Sequence, residues 1–215
     1  MSCIFTPNMP ILSIVVTIIL FLILLRLLFR KFLDLPAYSG QLIADNSGIE
    51  NLMPESRFWQ IIQEVRNQGK RNYRLQCELL TAYLESLTKE EIIQFDRTFA
   101  VLMARTYSYR LWEPAYALNG GCSDDAFEYF RTWLIAQGKN KFYWTVKYPR
   151  LLFLVGVKEI MENYEGIAYC AYQAYENATG GEIPQREDIH YPNAGQVFKE
   201  GEAFLRYPEL ALLAW

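Results

Sequence analysis

Histidine occurs once in this sequence, as His190, and cysteine four times, as Cys3, Cys77, Cys122 and Cys170. No two cysteines stand at the spacing of a zinc ribbon or a CxxC redox motif. No GxSxG, HExxH or Walker pattern occurs either, which excludes the most readily recognised hydrolase, zinc-protease and P-loop chemistries. Convincing runs of alternating strand character are missing, as is any internal repeat. Excess basic charge is missing too. The formal net charge is −3, and with Arg26, Arg30 and Lys31 set aside the remainder carries about −6. No basic stripe is present, so nucleic acid is not expected as a partner.

Apolar and aromatic residues are abundant. The chain of 215 residues is 52% hydrophobic, with 15 Tyr, 13 Phe and 5 Trp. One block near the start accounts for much of this: ILSIVVTIILFLILLRLLF, from Ile11 to Phe29. As a helix it rises about 28 Å, close to the thickness of a bilayer's hydrocarbon core. Its one charge, Arg26, lies near an end and can snorkel to the interface. A cleaved signal peptide has its positive charge before the apolar run and small residues at a cleavage site. Here the charges come after the run. A core helix this apolar requires a larger protein around it. The pattern predicts a transmembrane helix over 11–29, after a short tail over 1–10. Arg26, Arg30 and Lys31 at its C-terminal end predict a main domain in the cytoplasm, with the N-terminus outside. Scattered cysteines there are expected as free thiols.

Residues 30–55 read as a juxtamembrane linker, broken by Pro36, Gly40, Gly48 and Pro54. The rest, 56–215, reads as an all-α or nearly all-α domain of seven to nine helices. Ser56 is expected to cap a helix carrying Phe58, Trp59, Ile62 and Val65 and ending at Gly69. A second helix is predicted from Tyr73 to Leu87, with Leu75, Leu79, Tyr83 and Leu87 in line. Thr88 and Glu91 form a capping-box pattern for a helix reaching about Arg110. Pro114 is expected to break or kink that helix, leaving a short further helix from Trp112 to Leu118. Asn119, Gly120 and Gly121 read as a helix stop and hinge, Ser123 as the next N-cap, and Gly138 as another stop. A short helix or turn is predicted near 140–148, a short strand or buried helix at 151–155, and one or two helices over 158–164 and 165–178. A loop is expected over 182–201, then two short helices, with Trp215 docking on the core.

The motifs Phe58-Trp59-x-x-Ile62 and LTKEEIIQFDRTF at 87–99 are the first part of a longer pattern. It continues with the NGGCSDD…YFRxWLI block from Asn119 to Ile135 and AYxAYExxTG at 171–180. Together they resemble the bacterial domain of unknown function 4240 family over residues 56–215. The resemblance implies a small helical domain and no known mechanism, and an N-terminal span is an addition to the family's pattern.

Among candidate chemistry, Asp124 and Glu128 share a helix face at i,i+4, with Asp125 beside them. A metal-assisted hydrolase requires a third ligand, for which Asp96, Glu113 and His190 are the available side chains. Helix capping is the preferred reading of these carboxylates: Ser123 is a good N-cap, and acids in the first turn favour the positive end of the dipole. Cys122 stands at a helix start, where a thiolate is favoured, with His190 the one histidine able to serve as its base, but the adjacent aspartates oppose a thiolate, and a buried thiol and a surface histidine are the preferred reading. Gly120-Gly121 lacks the lysine and preceding strand of a phosphate loop. Arg131 is expected to pair with Asp96 or Asp125. The tyrosines of 169–175, with Trp112 and Tyr116, suggest an aromatic groove for a peptide. These readings favour a non-enzymatic protein-binding module, regulatory or toxin-neutralising, with no cofactor and no metal. The alternatives are the metal-assisted hydrolase and a structural tether for a membrane complex.

Overall fold

The computed structural model describes residues 15–24, 48–70, 72–155, 165–191 and 195–213. The chain divides into two compact units, Met1–Ser39 and Gly40–Trp215. In the first, residues 15–24 are helical (α1) and every one is exposed. Among the described residues no helix is long and apolar enough to cross a membrane. Ten residues reach only about 15 Å. The ends of the expected span, 11–14 and 25–29, lie outside the described residues, as do the tail 1–10, most of the linker and Trp215.

The second unit contains α2 (Glu55–Gly69), α3 (Tyr73–Glu85), α4 (Lys89–Thr106), α5 (Tyr109–Asn119), α6 (Asp124–Ala136) and α7 (Lys139–Lys147). Next come a 3-10 helix η1 (Pro149–Val155), α8 (Glu165–Thr179), α9 (Glu200–Arg206) and α10 (Pro208–Ala211). No strand element occurs among the described residues. The all-α expectation holds for this unit. The segment 156–164, within which a further helical stretch is expected, lies outside the described residues.

Local signals place most boundaries. The capping box forms as expected: Thr88 Oγ1 accepts from Glu91 N and the Glu91 carboxylate accepts from Thr88 N at 3.0 Å. Gly120 takes the left-handed conformation at φ 68°, which a Cβ would strain, and so ends α5. Ser123 Oγ accepts from Ala126 N at 3.2 Å and starts α6. Three expectations need correction. Pro54, not Ser56, precedes α2, without a side-chain cap. The buried row of α3 is Gln76, Leu80 and Leu84, one residue round from the expected line, and Leu75 is exposed. Pro114 lies inside α5, and the chain breaks earlier, at Tyr107–Ser108. There Thr106 Oγ1 turns back onto the carbonyls of Leu102 and Met103, competing with the next helical turn.

The core is aromatic. Phe58 stacks on Phe95 at 4.8 Å between ring centres, and Trp112, Phe127, Phe130 and Trp133 stack in succession at 4.8, 6.0 and 5.8 Å. Ala171 and Ala174 are buried, so α8 approaches α3, α4 and α6 closely. This close approach sets α8 alongside α6 and leaves a cleft between their outer edges.

Candidate functional site

The cleft has a volume of about 670 Å³. One wall comes from α4 and its end: Phe99, Met103 and Tyr107. Asp124, Asp125, Glu128 and Arg131 of α6 form a second, and Ala168, Tyr169 and Tyr172 of α8 a third. Arg186 and Tyr191 close it from the loop after α8. Helical geometry explains the second wall. Positions 124, 128 and 131 recur at i, i+4 and i+7, so they form one stripe facing the cleft. The intervening Phe127 and Phe130 turn into the core.

The loop is held where Arg186 and Tyr191 can reach the cleft. Arg97 on α4 donates to Asp188 Oδ1 at 2.9 Å and to the Glu50 carbonyl at 3.1 Å. Ile189 is buried against Ala100, Val101 and Ala104 on the same helix. Arg186 forms an ion pair with Asp96 at 3.4 Å, donates to the Tyr172 hydroxyl, and lies over the Tyr172 ring at 5.3 Å. Asp96 is buried beneath this pair. Burial pushes its carboxyl up to about 6, against the pull of Arg186 and Arg97.

Arg131 is 4% exposed. It donates to the Met103 carbonyl at 3.0 Å and lies over the rings of Tyr107 at 4.6 Å and Phe127 at 5.1 Å. Its Nε is buried without a hydrogen-bond partner. Among the described residues it makes no ion pair, so the expected pairing with Asp96 or Asp125 is not made. Asp96 is taken by Arg186. Asp125, on the exposed side of the first turn of α6, forms no such contact. Burial draws the guanidinium below its ordinary value, opposed by Glu128 nearby, and arginine stays charged throughout. Tyr107 donates to Asp124 Oδ1 at 3.1 Å, and burial and that bond raise its hydroxyl. Burial likewise raises Tyr172 and Tyr191.

Of the site residues expected from sequence, Asp124, Asp125 and Glu128 line the cleft, and Asp96 stands behind it. Cys122 does not contribute. It is buried, its carbonyl accepts from Trp112 Nε1 at 2.9 Å, and burial pushes its thiol up to about 12, away from a nucleophile's range. His190 is exposed and does not line the cleft. Glu113 pairs instead with Arg206 at 2.9 Å. Among the described residues, no three His, Cys, Asp or Glu side chains are placed to hold a metal ion. The triad of Asp124, Glu128 and a third acid is therefore not assembled there. Cys77, Cys122 and Cys170 are free thiols. A hydrogen bond shared by Cys77 and Cys170 lowers the first and raises the second. Of the residues expected for an aromatic groove, Tyr169 and Tyr172 line the cleft, but Trp112 and Tyr116 belong to other packing. Trp112 lies parallel to Phe127, and Tyr116 meets Phe198 and Phe204.

Arg186, Tyr191 and Tyr107 were missed as site residues. Tyr107 ends a helix and the other two sit in a polar loop of mixed charge, so no periodicity marks them. Arg131 carried a signal, a charge within an apolar helical run. No curated protein and no solved structure matches the chain. A family model matches residues 53–177, more than half the chain and including all of α2–α7 and most of α8. The chain belongs to the family described as protein of unknown function (DUF4240).

Proposed function

We propose that this chain is a membrane-held binding module that recognises another protein through the cleft between α4, α6 and α8. One observation carries the reading: the cleft joins exposed tyrosine faces to side chains of both charge signs, a lining suited to peptide recognition. Tyr169 stands at its edge, 55% exposed. The segment 11–29 serves as a single-pass anchor at a bacterial inner membrane, with the domain in the cytoplasm. Regulation, or neutralisation of a toxin, is the role such a module would fill there.

The test uses the full chain in its own membranes, with a photo-crosslinking residue replacing Tyr169. One protein recovered at a stoichiometric level, and lost when Tyr172→Ala is added, is the expected result. Crosslinking only to lipid, or spread thinly over many proteins, would sink the reading. Alkaline washing of the same membranes checks the anchor: the full chain should stay in the pellet, and a chain lacking 11–29 should be released.

A further inference from the structure

Two features of the cleft require opposite charges from whatever fills it. Arg131 lines the cleft as a buried guanidinium with aromatic support and one terminal nitrogen bonded to Met103 O, but it has an unpartnered Nε and no carboxylate within ion-pair distance among the described residues. Glu128 and Asp124 act on Arg131 only from beyond ion-pair distance, and an arginine fork matches a planar carboxylate in direct contact. Along the same helix face, Asp124, Asp125 and Glu128 are exposed and form no ion pair among the described residues. Asp124 and Arg131 are seven residues apart, about 10 Å along the helix axis. Three carboxylates against two arginines leave the lining with a net charge of −1, which disfavours a multiply charged anion such as phosphate. Exposed Tyr169 adds a ring face on which a cation can lie, whereas the Tyr172 ring already carries Arg186.

We infer that the cleft binds the free C-terminal end of a partner chain whose last residue is lysine or arginine. The α-carboxylate lies on Arg131, and the basic side chain runs past Tyr169 to Asp124 and Glu128. The inference rests on the protein-binding reading above, although a free basic amino acid carries the same two charges. Such a ligand supplies the direct-contact carboxylate that Arg131 lacks and the direct-contact cation that the α6 acids lack.

The experiment is a titration of the full chain in detergent micelles, with ¹⁵N-labelled arginine and detection of side-chain Nε–H signals. Arg131→Lys identifies the Arg131 signal by removing it. The tripeptide Gly-Gly-Arg with a free carboxylate should move that signal and saturate. Its C-terminal amide should bind about tenfold or more weakly, because the carboxylate contact is lost. Gly-Gly-Glu should not bind. Equal binding of acid and amide, or no movement of the Arg131 signal up to about 10 mM peptide, overturns the inference. The acid–amide comparison is made on the unaltered chain, so a misfolded Arg131→Lys would not blunt it. Free L-arginine forms a separate arm. If it binds as tightly as the tripeptide, the carboxylate-and-cation chemistry stands and the protein-binding reading fails. A crosslinked partner without any Gly-Gly-Arg binding gives the reverse.

Discussion

Arg150 and Arg131 are both largely buried arginines lying over a tyrosine ring, and they differ in what completes them. Arg150, on η1, lies over Tyr207 at 5.4 Å and meets the Glu209 carboxylate twice, at 2.7 and 3.1 Å. Arg131 lies over Tyr107 and Phe127 and meets a backbone carbonyl. The first pair is closed by the chain itself, because α10 brings Glu209 back against η1. The second opens into the cleft. One buried guanidinium is thus satisfied within the domain, while the other lines an open volume, which is the difference the proposed ligand would exploit.

Four measurements break or sharpen this comparison. The largest effect is expected from Phe127→Ala, which removes a fully buried ring under Arg131 and interrupts the stack between Trp112 and Phe130. Urea unfolding should show a loss of about 3–5 kcal/mol. A loss below about 1 kcal/mol would mean that the stack does not support the cleft wall.

The next concerns Asp96, the buried acid that Arg186 covers at the cleft edge. Its folded-state value of about 6 stands above the ordinary 3.8, so the folded protein holds the proton more tightly. That contribution to stability is full below pH 4 and is lost as pH rises through about 6, a change of about 3 kcal/mol. The difference in unfolding free energy between the parent and Asp96→Asn should therefore depend on pH across this window. A constant difference from pH 4 to 8 would show that Arg186 compensates the charge fully.

Arg150→Met is expected to cost about 2 kcal/mol, because it strands Glu209 in a largely buried site. Arg131→Met is expected to change stability least, by less than about 1 kcal/mol in either direction. It strands no carboxylate among the described residues, and the Met103 carbonyl still accepts from Thr106 Oγ1 at 2.9 Å. A loss from Arg131→Met larger than that from Arg150→Met would reverse the comparison and make Arg131 a structural residue.

The parts of this site legible in the sequence are those carried by local geometry. Asp124, Glu128 and Arg131 fall on one face because a helix repeats every 3.6 residues, and Ser123 announces where that helix begins. The buried thiol at Cys122 and the surface position of His190 agree with the preferred reading of the sequence, since adjacency to a helix start says nothing about burial. Cys122 is packed beneath Trp112, and His190 stays on the surface. The row chosen for α3 missed by one residue because partly buried Leu79 and Tyr83 imitate a core stripe, while Gln76 at the true centre is polar.

The sequence alone determined the helical class, the caps at Thr88 and Ser123, the left-handed stop at Gly120, the aromatic core and the family. All of these rest on interactions between residues a few positions apart, or on composition. Tertiary structure alone decided that Arg186 takes Asp96, that Glu209 completes Arg150, and that Arg131 is left facing a cleft. These partners lie 90, 59 and 28 residues apart in the chain. Which charge meets which at such separations depends on how helices pack, and no local pattern encodes it.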